Sequence, residues 1–169
     1  MDNPFVLVET NLGDLLIELY PDKAPRTVAN FLQHVDDKHY DGTIFHRVAR
    51  GFVIQGGGYD RGLNKKPTLP PIPNEAKGGL SNVKDSVAMA RAPEKDSAMD
   101  EFFINAADNG PDLDHQDDSD EGFGYAVFGQ VVEGSDVVKK INWKVVKATE
   151  DFPELPRDEV YIISARRFE

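Results

Sequence analysis

Apolar and polar positions along the chain fall mostly into short runs of period two. Phe5-Val6-Leu7-Val8-Glu9-Thr10 reads as a strand and Asn11-Leu12-Gly13-Asp14 as a turn. Leu15, Ile17 and Leu19 then alternate with Leu16, Glu18 and Tyr20 in a second strand that Pro21 ends. The period changes after Pro25. Val28, Phe31, Leu32 and Val35 stand at i, i+3, i+4, i+7, the apolar stripe of a helix, with His34, Asp36, Asp37 and Lys38 off it. A second, shorter helix follows Ser135 as N-cap, with Asp136 in its first turn and Val137, Val138 and Ile141 facing inward. Six more apolar runs read as strands: 43–48, 52–56, 87–91, 102–105, 126–132 and 160–167. Residues 59–86 lack periodicity and hold Pro67, Pro70, Pro71 and Pro73, which predicts a long functional loop.

Strands that do not alternate with helices argue against a parallel α/β sheet. The expectation is a mainly β chain: a closed eight-stranded antiparallel β-barrel capped by two α-helices, one domain over residues 1–169. Large side chains such as Phe45, Phe102 and Phe128 would fill such a barrel, which disfavours a ligand-holding barrel of the lipocalin sort.

Charge narrows the function. Among 169 residues, 30 Asp and Glu against 19 Lys and Arg give a net −11. Nucleic acid and anionic membrane surfaces are therefore poor partners. The acidity is local. Residues 112–121 hold six acids and no base, and residues 150–159 hold five acids and one Arg, which reads as a solvated loop. Cysteine is absent, so disulfides, thiol catalysis and Cys-ligated metals are excluded. Met1-Asp2-Asn3-Pro4 has no basic leader and no apolar run approaches a membrane span, so a cytoplasmic, monomeric protein is expected.

Several motif matches fail on spacing. Gly56-Gly57-Gly58 would need Gly at position 61 for a dinucleotide loop, where Arg stands; a close-approach turn is the better reading. The four histidines show no i, i+4 pair, and 117–122 misses the calcium-loop spacing, so no metal or other cofactor is expected. The informative stretch is 45–57. Alternation sends Phe45 and Arg47 to one face and His46 and Val48 to the other; Phe52 and Ile54 share a face, as do Val53 and Gln55. Arg47 can then neighbour Gln55 or Phe52 across the turn. A structural cation–π contact and a functional donor both fit that spacing.

Phe45-His46-Arg47-Val48, followed by Gly51-Phe52-Val53-Ile54-Gln55-Gly56-Gly57, resembles the signature of the cyclophilin-type peptidyl-prolyl cis–trans isomerases. Ala24–Phe31, Val87–Arg91 with Phe102–Asn105, and Gly124–Gly134 are similar to further blocks of that family, in the same order. Tyr125 stands where eukaryotic members carry His, which points to the bacterial branch.

The resemblance implies isomerisation of X–Pro peptide bonds in protein folding, with proline-containing peptides and unfolded or partly folded proteins as partners. Arg47 is the implied catalytic residue, oriented by Gln55. Phe52, Val53 (Met in many relatives), Phe103 and Leu113 are the implied proline pocket, with Tyr125 at its edge. Ala90 and the Arg91 backbone would line the groove for residues before proline, and His46 and Glu101 complete the candidate substrate-binding set. Two positions depart from the pattern. Glu101 replaces a Gln, and its carboxylate would either pair with Arg47 or face solvent. Asp112 falls where eukaryotic members place a Trp that contacts cyclosporin, so weak cyclosporin binding is expected. A proline-peptide binding or chaperone module without catalysis is the alternative, and Arg47 separates the two.

Overall fold

The computed structural model describes residues 2–169. Among these, eight strands and three helices follow in the order β1 (Phe5–Thr10), β2 (Gly13–Leu19), α1 (Pro25–Asp36), β3 (Arg47–Ala49), β4 (Val53–Gly56), β5 (Ser86–Met89), β6 (Phe102–Asn105), α2 (Gly110–Leu113), β7 (Val127–Glu133), α3 (Ser135–Asn142) and β8 (Ile162–Phe168). All strands join one antiparallel sheet, ordered β3-β4-β6-β5-β7-β2-β1-β8. No helix among the described residues is long and apolar enough to cross a membrane.

The expected closed barrel is instead a strongly curled sheet whose ends, β3 and β8, do not pair as strands. The run 43–48 does not form one strand. Thr43 bridges Asp60, Ile44 bridges Tyr161, and ladder pairing starts only at Arg47. The segments leading into the two edges still meet. Phe45 N donates to Val160 O at 2.9 Å and Ile162 N to Thr43 O at 2.8 Å. Gly56 allows this crossing, since a Cβ there would lie 2.5 Å from the Ile44 carbonyl.

The concave side is filled. Phe31 packs its ring 4.9 Å from Phe128 and 5.6 Å from Phe102, and Phe45 is fully buried beside them. Helix α1 lays Val28, Phe31, Leu32 and Val35 on this core. It has no local side-chain cap. The Glu75 carboxylate, reaching in from the long loop, accepts from Thr27 N at 2.7 Å and Thr27 Oγ1 at 2.6 Å instead. His34, which the stripe excludes, is buried. Its Nδ1 donates to Asn30 O at 2.8 Å and its Nε2 accepts from Thr68. Burial holds its pKa below the usual histidine value.

Two helix details differ from the pattern reading. Gly134, at φ 106°, caps α3, because a Cβ there would meet the Asp14 carbonyl at 2.4 Å; Ser135 is the first helical residue and donates to Asp85. The third helix, α2, has only four residues and begins Gly-Pro, too short to show periodicity.

Candidate functional site

A second apolar cluster lies on the outer side of β4, β6 and β5. Strand alternation generates it. Ile54, Phe102, Ile104 and Phe128 point to the main core, so Val53, Phe103, Ala88 and Val127 point away from it. Every residue of β5 and β6 is buried, which marks strands covered on both faces. Ala49, Phe52, Leu80, Ala90, Leu113 and Tyr125 complete this outer cluster.

The cluster floors a pocket of about 350 Å³ lined by Arg47, Phe52, Val53, Gln55, Ala90, Arg91, Phe103, Leu113 and Tyr125. Nine of the eleven expected site residues therefore meet in one place. The other two, His46 and Glu101, sit behind it. Glu101 opens instead onto an adjoining pocket that shares Gln55, Ala90 and Arg91.

Phe52 departs from the expected face. It precedes β4, after Gly51 at φ 73°, so it escapes the strand alternation and packs outward with Val53. Its carbonyl accepts from Ala106 N at 2.8 Å and Asn109 Nδ2 at 2.9 Å. Asn109 also donates to Asn105, and Asn105 to Asn82 and Ser86, a buried amide network that the sequence pattern did not disclose. Leu113 enters the wall because α2 ends there, where its carbonyl accepts from Tyr125 N at 2.9 Å. Tyr125 stands edge-on to Phe103 at 5.6 Å and lies under the Arg91 guanidinium at 4.8 Å. Arg91 is fixed in turn by Gly124 O at 2.9 Å and Asp120 O at 2.8 Å.

Arg47 is paired with Gln55 by the β3–β4 register. Its Nη1 donates to Gln55 Oε1 at 3.3 Å, and its guanidinium lies 5.9 Å from the Phe52 ring centre. Its Nε donates to Glu154 Oε1 at 2.9 Å. Glu154 lies in the stretch read as solvated loop and is the site residue that sequence reasoning missed. A guanidinium has five N–H groups. Both Nη2 hydrogens and one on Nη1 have no protein acceptor among the described residues.

Glu101 follows neither expected course. It does not touch Arg47, and its side chain, 19% exposed, is mostly covered. Its Oε1 accepts from Gln55 Nε2 at 3.0 Å and lies 3.3 Å from His46 Nε2; Oε2 is 3.5 Å from Lys65 Nζ. Burial works against its ionisation, yet the His46 and Gln55 hydrogen bonds and the Lys65 ammonium hold its pKa below the usual Glu value. The carboxylate can only accept and Arg47 can only donate, so the Gln55 amide has one orientation that satisfies both. Arg47, Gln55 and Glu101 form a directed chain whose open end is the guanidinium at the pocket.

Residues 5–167 match the family of "Cyclophilin type peptidyl-prolyl cis-trans isomerase/CLD". The chain is 45% identical to Peptidyl-prolyl cis-trans isomerase B of Escherichia coli, over 94% of this chain and 96% of that protein. It is 46% identical to a peptidyl-prolyl cis-trans isomerase of Streptomyces antibioticus, over 95% of this chain and 96% of the other. A cyclophilin-type isomerase of Cryptosporidium parvum, solved in the presence of the dipeptide Ala-Pro, superposes with a TM-score of 0.78 at 23% identity, covering 98% of this chain and 99% of that one. The chain belongs to the cyclophilin-type peptidyl-prolyl cis-trans isomerases. The reaction it serves is rotation about X–Pro peptide bonds.

Proposed function

We propose that Arg47 carries the isomerase activity by donating a hydrogen bond to the twisted X–Pro amide, while the apolar pocket grips the proline ring. The observation that carries this reading is the guanidinium held at Nε and Nη1, with Nη2 unengaged beside Phe52, Phe103 and Leu113.

The physical argument starts from the substrate. Amide conjugation sets a barrier of about 18–20 kcal/mol to rotation. Halfway through, conjugation is lost and the nitrogen regains a basic lone pair. A fixed cationic donor aimed there binds the twisted state better than either planar one. One charge-assisted hydrogen bond is worth about 1.5–3 kcal/mol. A 10⁵-fold acceleration needs about 7 kcal/mol. Arg47 therefore supplies a share, and the rest comes from an apolar wall that strengthens its field and holds the ring while the acyl side turns. The step needs no metal, cofactor or covalent intermediate. Phe52, Val53, Phe103 and Leu113 form the ring's wall with Tyr125 at its edge, Gln55 orients Arg47, Ala90, Arg91 and Glu101 border the path of the preceding residues, and His46 holds Glu101 from behind.

The protein is read as one domain acting as a cytoplasmic monomer on proline-containing peptides and unfolded chains. With exposed Asp112 in place of an aromatic contact, cyclosporin should bind more weakly than nanomolar in a calorimetric titration. The test of the reading is a proline isomerisation assay. Wild type should be active, and Arg47→Ala should lose roughly ten- to hundredfold in kcat/KM with its circular dichroism unchanged. An inactive wild type removes catalysis in favour of a binding module; a fully active variant removes the role of Arg47.

A further inference from the structure

The acidity of this molecule has one sharp exception. Residues 139–147, Lys-Lys-Ile-Asn-Trp-Lys-Val-Val-Lys, hold four lysines and no acid. Of the fifteen other lysines and arginines, seven sit in ion pairs: Arg47, Arg61, Lys65, Lys77, Arg157, Arg166 and Arg167. Among the described residues, none of Lys139, Lys140, Lys144 and Lys147 has a carboxylate within ion-pair distance.

The same stretch exposes large apolar side chains. Trp143 is 59% exposed, Val145 54% and Val146 41%. An exposed Trp and two valines among unpaired ammonium groups form a mixed basic and apolar surface. The surface is held firmly. Trp143 caps α3, and Arg50 donates to its carbonyl at 2.8 Å and stacks 4.7 Å over its ring. Lys147 N donates to Leu155 O and Arg157 N to Val145 O, so 145–147 forms one side of a short hairpin. A pocket of about 190 Å³ adjoins it between α3 and the β3–β4 turn, with Arg50, Lys84, Lys139 and Trp143 in its wall against a single carboxylate, Asp85.

We propose that this face is a docking site for an extended acidic polypeptide segment carrying bulky apolar side chains, separate from the proline pocket. Charge decides the kind of occupant. Removing the four lysines from the net −11 leaves −15 on the rest of the molecule. A flat anionic membrane, or a second folded copy of this chain, would bring its negative charge against that remainder as well. Screening acts over about 8 Å at physiological salt, so a single extended chain laid along 139–147 meets the four lysines at contact, while Asp136 and the acids of 150–159 flank the patch and confine the chain to it. Trp143, Val145 and Val146 then give the segment's apolar side chains a surface to cover. Asn142 joins this face to the site. It donates to Ala49 O and Val53 O and accepts from Gly51 N, tying the end of α3 to the hairpin that bears Arg47 and Phe52. A client tethered here presents its X–Pro bonds to the pocket at raised local concentration.

Trp143 is the only tryptophan, so its fluorescence reads the docking directly. The probe is a proline-free, tryptophan-free peptide alternating Glu with Leu and Phe; its Gln-for-Glu counterpart is the control. The acidic peptide should shift Trp143 emission to the blue and saturate, while the control does not. Its affinity should drop at least about tenfold at high salt and in a variant with Lys139, Lys140, Lys144 and Lys147 all changed to Gln. Isomerisation of a short neutral X–Pro peptide should be the same in that variant, which separates this site from the proline pocket. No saturable shift, equal response to the control, or affinity unchanged in the variant would overturn the proposal. So would a matching shift with phosphatidylserine vesicles, or concentration-dependent dimers abolished by the same substitutions.

Discussion

Arg47 is gripped at two of its nitrogens, and this decides which of its hydrogens can reach a bound peptide. Glu154 takes Nε and Gln55 takes Nη1, so the guanidinium plane is set before any ligand arrives. The Arg47 and Glu154 side chains are 39% and 37% exposed, so their pair adds less than about 1 kcal/mol to stability. Its value is orientation. Glu154→Ala should therefore lower kcat by about three- to tenfold with KM and the urea midpoint little changed, and Glu154→Gln, which keeps an acceptor, should recover most of the loss. Unchanged or raised kcat in Glu154→Ala would reduce the contact to an incidental surface pair. Sequence could not show this partner, because 107 positions separate it from Arg47. The contact exists because Val48 N donates to Glu154 O, alongside the hairpin of 145–147 with 155–157. By contrast the turn narrows Arg47's neighbour to Gln55 or Phe52 from sequence, and the β3–β4 register pairs it with Gln55.

At the scale of elements, β4, β5 and β6 do two jobs with one alternation. Their inner residues build the core, and their outer residues build the pocket. That is why Phe102 and Phe103, adjacent in sequence, belong to different clusters. Period two made the strands readable, but it failed at their ends. Alternation puts Phe45 and Arg47 on one face, yet Phe45 lies before β3, turned into the core, while Arg47 lies in the ladder facing the pocket. Glu101, just before β6, links to β4 through Gln55 and to His46 beside β3. Its folded pKa lies below the value of 4.5 typical of a free Glu. A depressed carboxyl stabilises the fold at pH above its unfolded value and loses that contribution as pH falls through the folded one. Wild type should thus exceed Glu101→Gln in urea midpoint at pH 7, with the gap closing as pH falls below 4.5. A gap that stays constant or widens in acid would show that the Glu101 charge is not stabilised by its neighbours.

For the whole molecule, the two faces of the curled sheet serve two functions. Its filled interior supplies rigidity, and its outer face carries the chemistry. The strand count and the filled core were legible from runs of Val, Ile and Phe. The open edge between β3 and β8 was not, because it depends on how Gly42–Phe45 and Val160–Ile162 cross rather than on any local pattern. The most direct test of the central claim separates rotation from binding. Exchange spectroscopy on a saturating Ala-Pro-containing peptide gives the on-enzyme interconversion rate, and the titration that reaches saturation gives Kd. For Arg47→Ala the account predicts an on-enzyme rate at least about tenfold slower with Kd changed by less than about threefold, the pattern of an interaction made only in the twisted state. An unchanged on-enzyme rate with a weakened Kd would contradict it and make Arg47 a binding residue.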